Sequence, residues 1–184
     1  MNDVMQLSLS ALDRGLVQGD IKAFWTCWRD LDTGAQDLRL LHRYIADRTT
    51  LSAGTASSGL SPRLLVVGPQ SFVAECYGAA WARSAIVEEH TPDTDLERSA
   101  ARGYHAAIAG EPNLDIMSVR TRDLAGREMD LLYERLILPL RTANGSLLIG
   151  CVTAKLMPIR WIKDERWEQL RGRARADRWH DGIR

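Results

Sequence analysis

Hydrophobic positions along the chain fall into blocks of different period, and the clearest block is Gly126–Ala154. Leu131–Arg141 is rich in β-formers and aliphatics, and Leu147–Thr153 is almost wholly apolar. Between them lies Asn144-Gly145, the pair that best tolerates the two positive φ angles of a type I′ hairpin turn. Leu114–Arg122 precedes this hairpin with strand character, Leu114 and Ile116 on one side, and Ala125-Gly126 supplies the intervening turn. Three β runs with no helix between them predict an antiparallel meander rather than βαβ units.

Helical spacing dominates the earlier part of the chain. Residues 4–17 predict a first helix with Val4, Leu7, Ala11 and Leu12 on one face. Gly19-Asp20 breaks it, and Ile21, Phe24, Trp25, Trp28 and Leu31 then form an aromatic stripe on a second helix. Asp37 caps a third expected helix carrying Leu38, Leu41, Tyr44 and Ile45. Thr49–Ser61 is uncharged and Ser/Thr/Gly-rich, which predicts a loop or a weak edge strand and the main internal boundary. Leu64–Val67 predicts a short buried strand. Phe72–Ala82 and Asp95–Ala109 read as helices, the second with Leu96, Ala100, Tyr104 and Ile108 along one side and a stop at Gly110-Glu111-Pro112. From Met157 the character changes again, with Pro158 as the start of an expected helix carrying Trp167, Leu170 and Ala174.

Composition narrows the class without naming a chemistry. At 184 residues the chain is long enough for one domain with appendages and a core that needs no disulfide or metal. Its 24 basic side chains match 24 acidic ones, so global charge predicts no polyanionic partner. Cys27, Cys76 and Cys151 are far apart and odd in number, which fits reduced thiols in a cytoplasmic protein. MNDVMQLSLSALDRG does not read as a signal peptide, and the apolar runs fall well short of the roughly 20 residues needed to span a bilayer. There is no GxSxG, HExxH, P-loop or GxGxxG motif, and the histidines at 42, 90, 105 and 180 are scattered. A non-enzymatic protein is the expectation.

One strand, short helices, a longer helix ending in Gly-Glu-Pro, then three antiparallel strands: this order resembles the PAS fold. FWTCWRDL at 24–31, YHAAIAGEP at 104–112 and YERLILPLRTANGSLLIG at 133–150 carry the resemblance, and the last is the most specific. Within the superfamily the chain looks most like bacterial PAS-type proteins built as one small sensory domain. The resemblance implies an α+β fold, a PAS-like five-stranded antiparallel sheet with helices on one face, plus N-terminal helices and a C-terminal helical tail. The corresponding division is an N-terminal helical extension at 1–47, a PAS-like domain at 48–156, and a basic Trp-containing helix or tail at 157–184. It further implies a small ligand in a cavity between sheet and helices, homodimerisation, and a signalling protein partner.

Candidate residues follow from that frame. Tyr77, Trp81, Tyr104, His105, Tyr133 and Arg135 are the candidate cavity liners. Ordinary core is the competing role for the aromatic ones, and a surface position for His105. The place matching the haem-ligating histidine of oxygen-sensing PAS domains is Asn113, and Cys76 in VAECYGAA lacks the flanking residues of the light-sensing branch. The cofactor therefore stays unknown, with haem and flavin disfavoured. Neighbouring strand residues point to opposite faces, and aliphatics on both sides leave the phase of Arg135 open. With Tyr133 it faces either the cavity, where a guanidinium could hold a carboxylate or phosphate, or the outer surface, the commoner place for a charged strand residue. Phe24, Trp25 and Trp28 are candidates for a dimer or partner contact, or for core over one end of the sheet. A second class of function, a small α+β enzyme or ligand-binding protein, needs a polar pair in the cavity such as His105 with Arg135. A third is a nucleic-acid or membrane adaptor acting through Arg171, Arg173, Arg175 and Arg178. It is disfavoured because eight basic side chains from Met157 onward are interrupted by five acidic ones.

Overall fold

The apolar runs pair into one antiparallel sheet in a computed structural model that describes residues 2–32, 47–56, 59–88, 91, 93–142 and 144–162. Its strands are β1 (Asp3–Gln6), β2 (Thr49–Ala53), β3 (Leu64–Val67), β4 (Asn113–Arg122), β5 (Glu128–Arg141), β6 (Leu147–Lys155) and β7 (Arg160–Trp161). They lie in the order β1-β4-β5-β6-β2-β3, with β7 also on β5. The five strands β4-β5-β6-β2-β3, with the intervening helices on one face, form the PAS-like sheet. β5 outruns β6, and its remaining edge is met by β7 through Met129↔Trp161 and Asp130↔Arg160.

The hairpin at the centre of the sequence pattern is present, with a longer turn than expected. Thr142 N–H donates to the Ser146 carbonyl at 2.9 Å, and Gly145 N–H donates to the Thr142 carbonyl at 2.9 Å. The loop thus holds three residues, with Gly145 at φ 81°, the geometry of a three-residue hairpin with glycine in the left-handed position.

Helices cover both faces of the sheet. On one side lie α3 (Phe72–Tyr77), α4 (Ala79–Glu88) and α5 (Thr94–Ile108). Gly78, at φ 94°, splits the expected 72–82 helix into α3 and α4. Ser71 Oγ caps α3 by accepting Ala74 N–H at 3.2 Å. Asp93 caps α5 by accepting the Asp95 and Leu96 amides at 2.9 and 3.0 Å. Gly110, at φ 97°, closes α5 where Gly-Glu-Pro was expected to stop it.

On the other side lie α1 (Ser10–Asp13) and α2 (Gly19–Asp32). Leu12, Ile21, Phe24 and Trp25 pack there with Leu114, Leu136, Leu138, Leu140 and Val152. Gly150 permits the contact, because a Cβ there would stand 2.8 Å from both Phe24 Cζ and Leu140 Cδ1. Trp25 and Trp28 stack at 5.2 Å, and Trp28 Nε1 donates to the Pro139 carbonyl at 2.7 Å. Of the three residues considered for a partner contact, Phe24 (1% exposed) and Trp25 (9%) are consumed in the chain's own core, and Trp28 is half-buried.

Three expectations change. Residues 3–6 form edge strand β1 on β4 rather than the start of a helix. Thr49–Ala53 is an interior strand between β6 and β3 rather than a loop or edge. Pro158 leads into β7 rather than a helix. The helix expected after Asp37, and the tail with Trp167, Leu170, Ala174 and its arginines, lie outside the described residues. No helix among the described residues is long and apolar enough to cross a membrane.

Phe24→Ala is expected to destabilise the chain by about 3–5 kcal/mol, the usual range for emptying a buried aromatic site. Urea denaturation at two protein concentrations checks this. The loss should be the same at both, because the contact lies within one chain.

Candidate functional site

Alternation along β5 places the site. Met129, Leu131, Tyr133 and Ile137 join the core beneath α3–α5, while Leu136, Leu138 and Leu140 join the core beneath α2. Arg135 therefore shares the inner face with Tyr133. Its reading as a solvated or dimer-face residue is corrected, because the residue is 3% exposed and lines a cavity beneath α3–α5. Glu134 takes the outer face, where its Oε2 accepts the Gln18 amide at 2.9 Å near the start of α2.

A buried charge needs a partner, and Asp115 supplies it. Asp115 lies directly opposite Arg135 in the β4–β5 register and is 1% exposed. Arg135 Nε donates to Asp115 Oδ1 at 3.0 Å and Nη2 donates to Oδ2 at 2.7 Å, the bidentate geometry that suits guanidinium and carboxylate. Asn113 Nδ2 adds a third bond to Oδ2 at 2.8 Å. Burial works against the charge on Arg135, but the hydrogen bonds and charge of Asp115 outweigh it and hold the guanidinium protonated well beyond its ordinary range.

Helix α5 closes over this pair through Gly103. A Cβ at that position would lie 2.6 Å from Asn113 Nδ2, 2.9 Å from Ile137 Cδ1 and 3.0 Å from Arg135 Nη2. One residue on, the Tyr104 ring sits with its centroid 5.5 Å from the guanidinium carbon, a cation–π distance.

The cavity has a volume of about 70 Å³, well below the roughly 300–1,000 Å³ of sites for drug-sized ligands. Tyr77, Tyr104, Tyr133, Cys76, Cys151 and Arg135 contribute to its wall, together with Glu97 and Thr91. Burial raises the pKa of all three phenols, which keeps them protonated. It also pushes the Cys76 thiol up to about 12 and raises that of Cys151, so neither is an activated nucleophile. The Tyr133 hydroxyl donates to Met117 Sδ at 3.2 Å. Glu97 Oε1 accepts the Thr91 amide at 2.6 Å.

A polar chain leads from the wall to the cap of α5. Tyr77 and Thr121 hydroxyls meet at 3.4 Å, and Thr121 Oγ1 donates to Asp93 Oδ2 at 2.6 Å. Desolvation raises the Asp93 carboxyl, but bonds from Thr121 and the Leu96 and Asp95 amides outweigh it and leave the pKa below the ordinary value.

Of the six candidate cavity residues, the structure brings together Tyr77, Tyr104, Tyr133 and Arg135. Trp81 is buried behind the wall, its ring 4.9 Å from that of Tyr77. His105 is corrected to the surface. It is exposed on α5, its Nε2 lies 3.2 Å from the Leu60 carbonyl, and it does not line the cavity. Sequence reasoning missed Asp115, Gly103, Glu97 and the Thr121–Asp93 link. The one available signal was an acidic residue in the strand ahead of the hairpin, able to face Arg135 once the register is known. Among the described residues no three His, Cys, Asp or Glu side chains stand together as a metal site.

No protein-family model matches the chain, and no curated protein does. Solved structures do match, among them one described as that of an RNA-binding light-oxygen-voltage receptor. It is 19% identical, with 99% of this chain and 45% of that one covered and a TM-score of 0.38. The chain thus spans less than half the length of that protein. The PAS-like fold is carried by the strand order and layers described above.

Removing one member of the buried pair strands the other. Arg135→Met or Asp115→Leu alone should each destabilise by about 3–5 kcal/mol, whereas the double replacement should restore most of that loss. A double-mutant cycle from urea midpoints measures the coupling, and strictly additive losses would contradict the pairing.

Proposed function

We propose that the chain is a non-enzymatic PAS-like sensory domain that binds a small molecule between its sheet and helices α3–α5. The observation that supports this reading is the cavity itself. Its wall combines apolar side chains and three neutral phenols with one buried guanidinium, a few polar groups converging in an apolar space. His105 lies on the surface and not in the cavity wall, so the pair His105 with Arg135, offered for the enzyme reading, does not meet there. Reduced Cys76 and Cys151, both buried, fit a cytoplasmic setting.

The response is a population shift. A ligand changes an equilibrium only by binding one packing better than another. Tyr77 touches the cavity and, through Thr121, the carboxylate that caps α5. A ligand that moves Tyr77 thereby biases the start of that helix, and a partner reads the change. The proposed partner is a second copy of the chain, meeting it at the half-buried edge of Trp28 and the exposed Val4 and Met5 of β1.

Cyclopentane, a small apolar probe, is expected to shift amide resonances of the lining residues in the full chain. Ala100→Leu, which extends a side chain from the cavity wall, should abolish those shifts. Equal shifts in both proteins, or none in the unmodified chain, would remove the cavity from the reading. Light scattering at micromolar concentration is expected to give two chains per particle, and a single chain would remove the dimer alone.

A further inference from the structure

The guanidinium of Arg135 is only partly engaged by the protein. Asp115 takes Nε and Nη2. Nη2 is also covered by α5 at Gly103, where a Cβ would approach to 3.0 Å. Nη1, with two N–H donors, makes no hydrogen bond to any described residue. It is not sealed in the core either, because the fully enclosed side-chain polar atom without a partner among the described residues is Ser52 Oγ. Arg135 lines the cavity, and Nη1 is the guanidinium nitrogen that Asp115 leaves open, in a residue otherwise 97% withdrawn from solvent.

The surroundings select what that edge accepts. Asp115 already neutralises the guanidinium charge, and Glu97 brings a carboxylate to the same wall. An anion therefore gains little net attraction, and a cation finds no acceptor at Nη1. The phenols are protonated and neutral, and the rest of the wall is largely apolar. A hydrogen bond from a charged donor is worth more than one between neutral groups, so a ligand oxygen placed at this open edge gains a strong bond.

We propose that the cavity takes a small neutral molecule with an apolar body and one carbonyl acceptor, a ketone, aldehyde or amide, and that Arg135 Nη1 donates to that oxygen. The inference rests on the cavity being the ligand site. It goes further in naming the ligand class and making Arg135, held by Asp115, the specificity-determining residue.

The test compares three probes on the isotopically labelled full chain by NMR titration: cyclopentane, cyclopentanone, and isobutyrate, an anion of cyclopentanone's heavy-atom count. Cyclopentanone is expected to bind at least about tenfold tighter than either of the others, as a hydrogen bond from a charged donor implies, and to shift the guanidinium nitrogens of Arg135. In Arg135→Met/Asp115→Leu, cyclopentanone and cyclopentane should bind alike. Equal binding of these two by the unmodified chain would overturn the inference while leaving the cavity reading intact. Tighter binding of isobutyrate would overturn the neutral-ligand class. Failure of all three probes would overturn both. If the double variant does not fold, the ranking of probes and the Arg135 resonances decide the matter, and unshifted guanidinium nitrogens would sink the proposal.

Discussion

The ion pair between Arg135 and Asp115 ties the layers of this molecule together. The two residues face each other across β4 and β5, so their bidentate contact exists in one register. A slip of either strand by one residue would send its own charge to the face packed by α2, among Leu114, Leu136 and Leu138. The two charges would then lie on opposite faces, each without its partner. The pair also fixes the height of α5, which approaches closely enough that only glycine fits at 103. Buried pairs of this kind add little net stability, because desolvation offsets most of the attraction. What they supply here is a single permitted arrangement of strand, strand and helix.

A sheet covered on both sides explains where sequence reading succeeded and where it stopped. The hairpin, the helix ended by Gly-Glu-Pro and the strand before it were legible because each rests on local chemistry: strand-forming runs, a glycine at positive φ, an N-cap. The phase of β5 was not legible. With α2 on one face and α3–α5 on the other, both sets of alternate residues are apolar, and the period-two signal that separates inside from outside disappears. Leu136, Leu138 and Leu140 look like the better core face by composition. Tyr133, Arg135 and Ile137 lie on the face beneath α3–α5, and Asp115 makes the charge of Arg135 tolerable there.

The remaining differences are tertiary overrides of local pattern. Asp3–Gln6 lies in a helically spaced window, but the open edge of β4 offers four residues' worth of backbone pairing, and β1 takes it. Thr49–Ala53 looked too polar for an interior strand. Its threonines are β-branched and suit a strand, and Thr50 and Ser52 lie buried against β6 and β3. His105 failed for a geometric reason. It follows Tyr104, and one step along a helix turns a side chain by about 100°, which carries His105 off the cavity side.

The size of the cavity constrains what any ligand can accomplish. A tiny ligand gains at most about 1.5 kcal/mol per heavy atom, while moving a two-state equilibrium from 1:99 to 99:1 takes about 5.5 kcal/mol of differential affinity. About 70 Å³ admits only a small molecule, so most of its binding energy would have to discriminate between the two states. That is feasible only if the contacts to be rearranged are individually weak. The route from Tyr77 through Thr121 to the Asp93 cap has this character: its first step is a long 3.4 Å contact between two hydroxyls, at the low end of what a neutral hydrogen bond contributes. The Arg135–Asp115 end of α5 is the opposite, bidentate and closely packed. Rearrangement of α5 would therefore cost least at its capped N-terminus and most at Gly103, where the helix meets the ion pair.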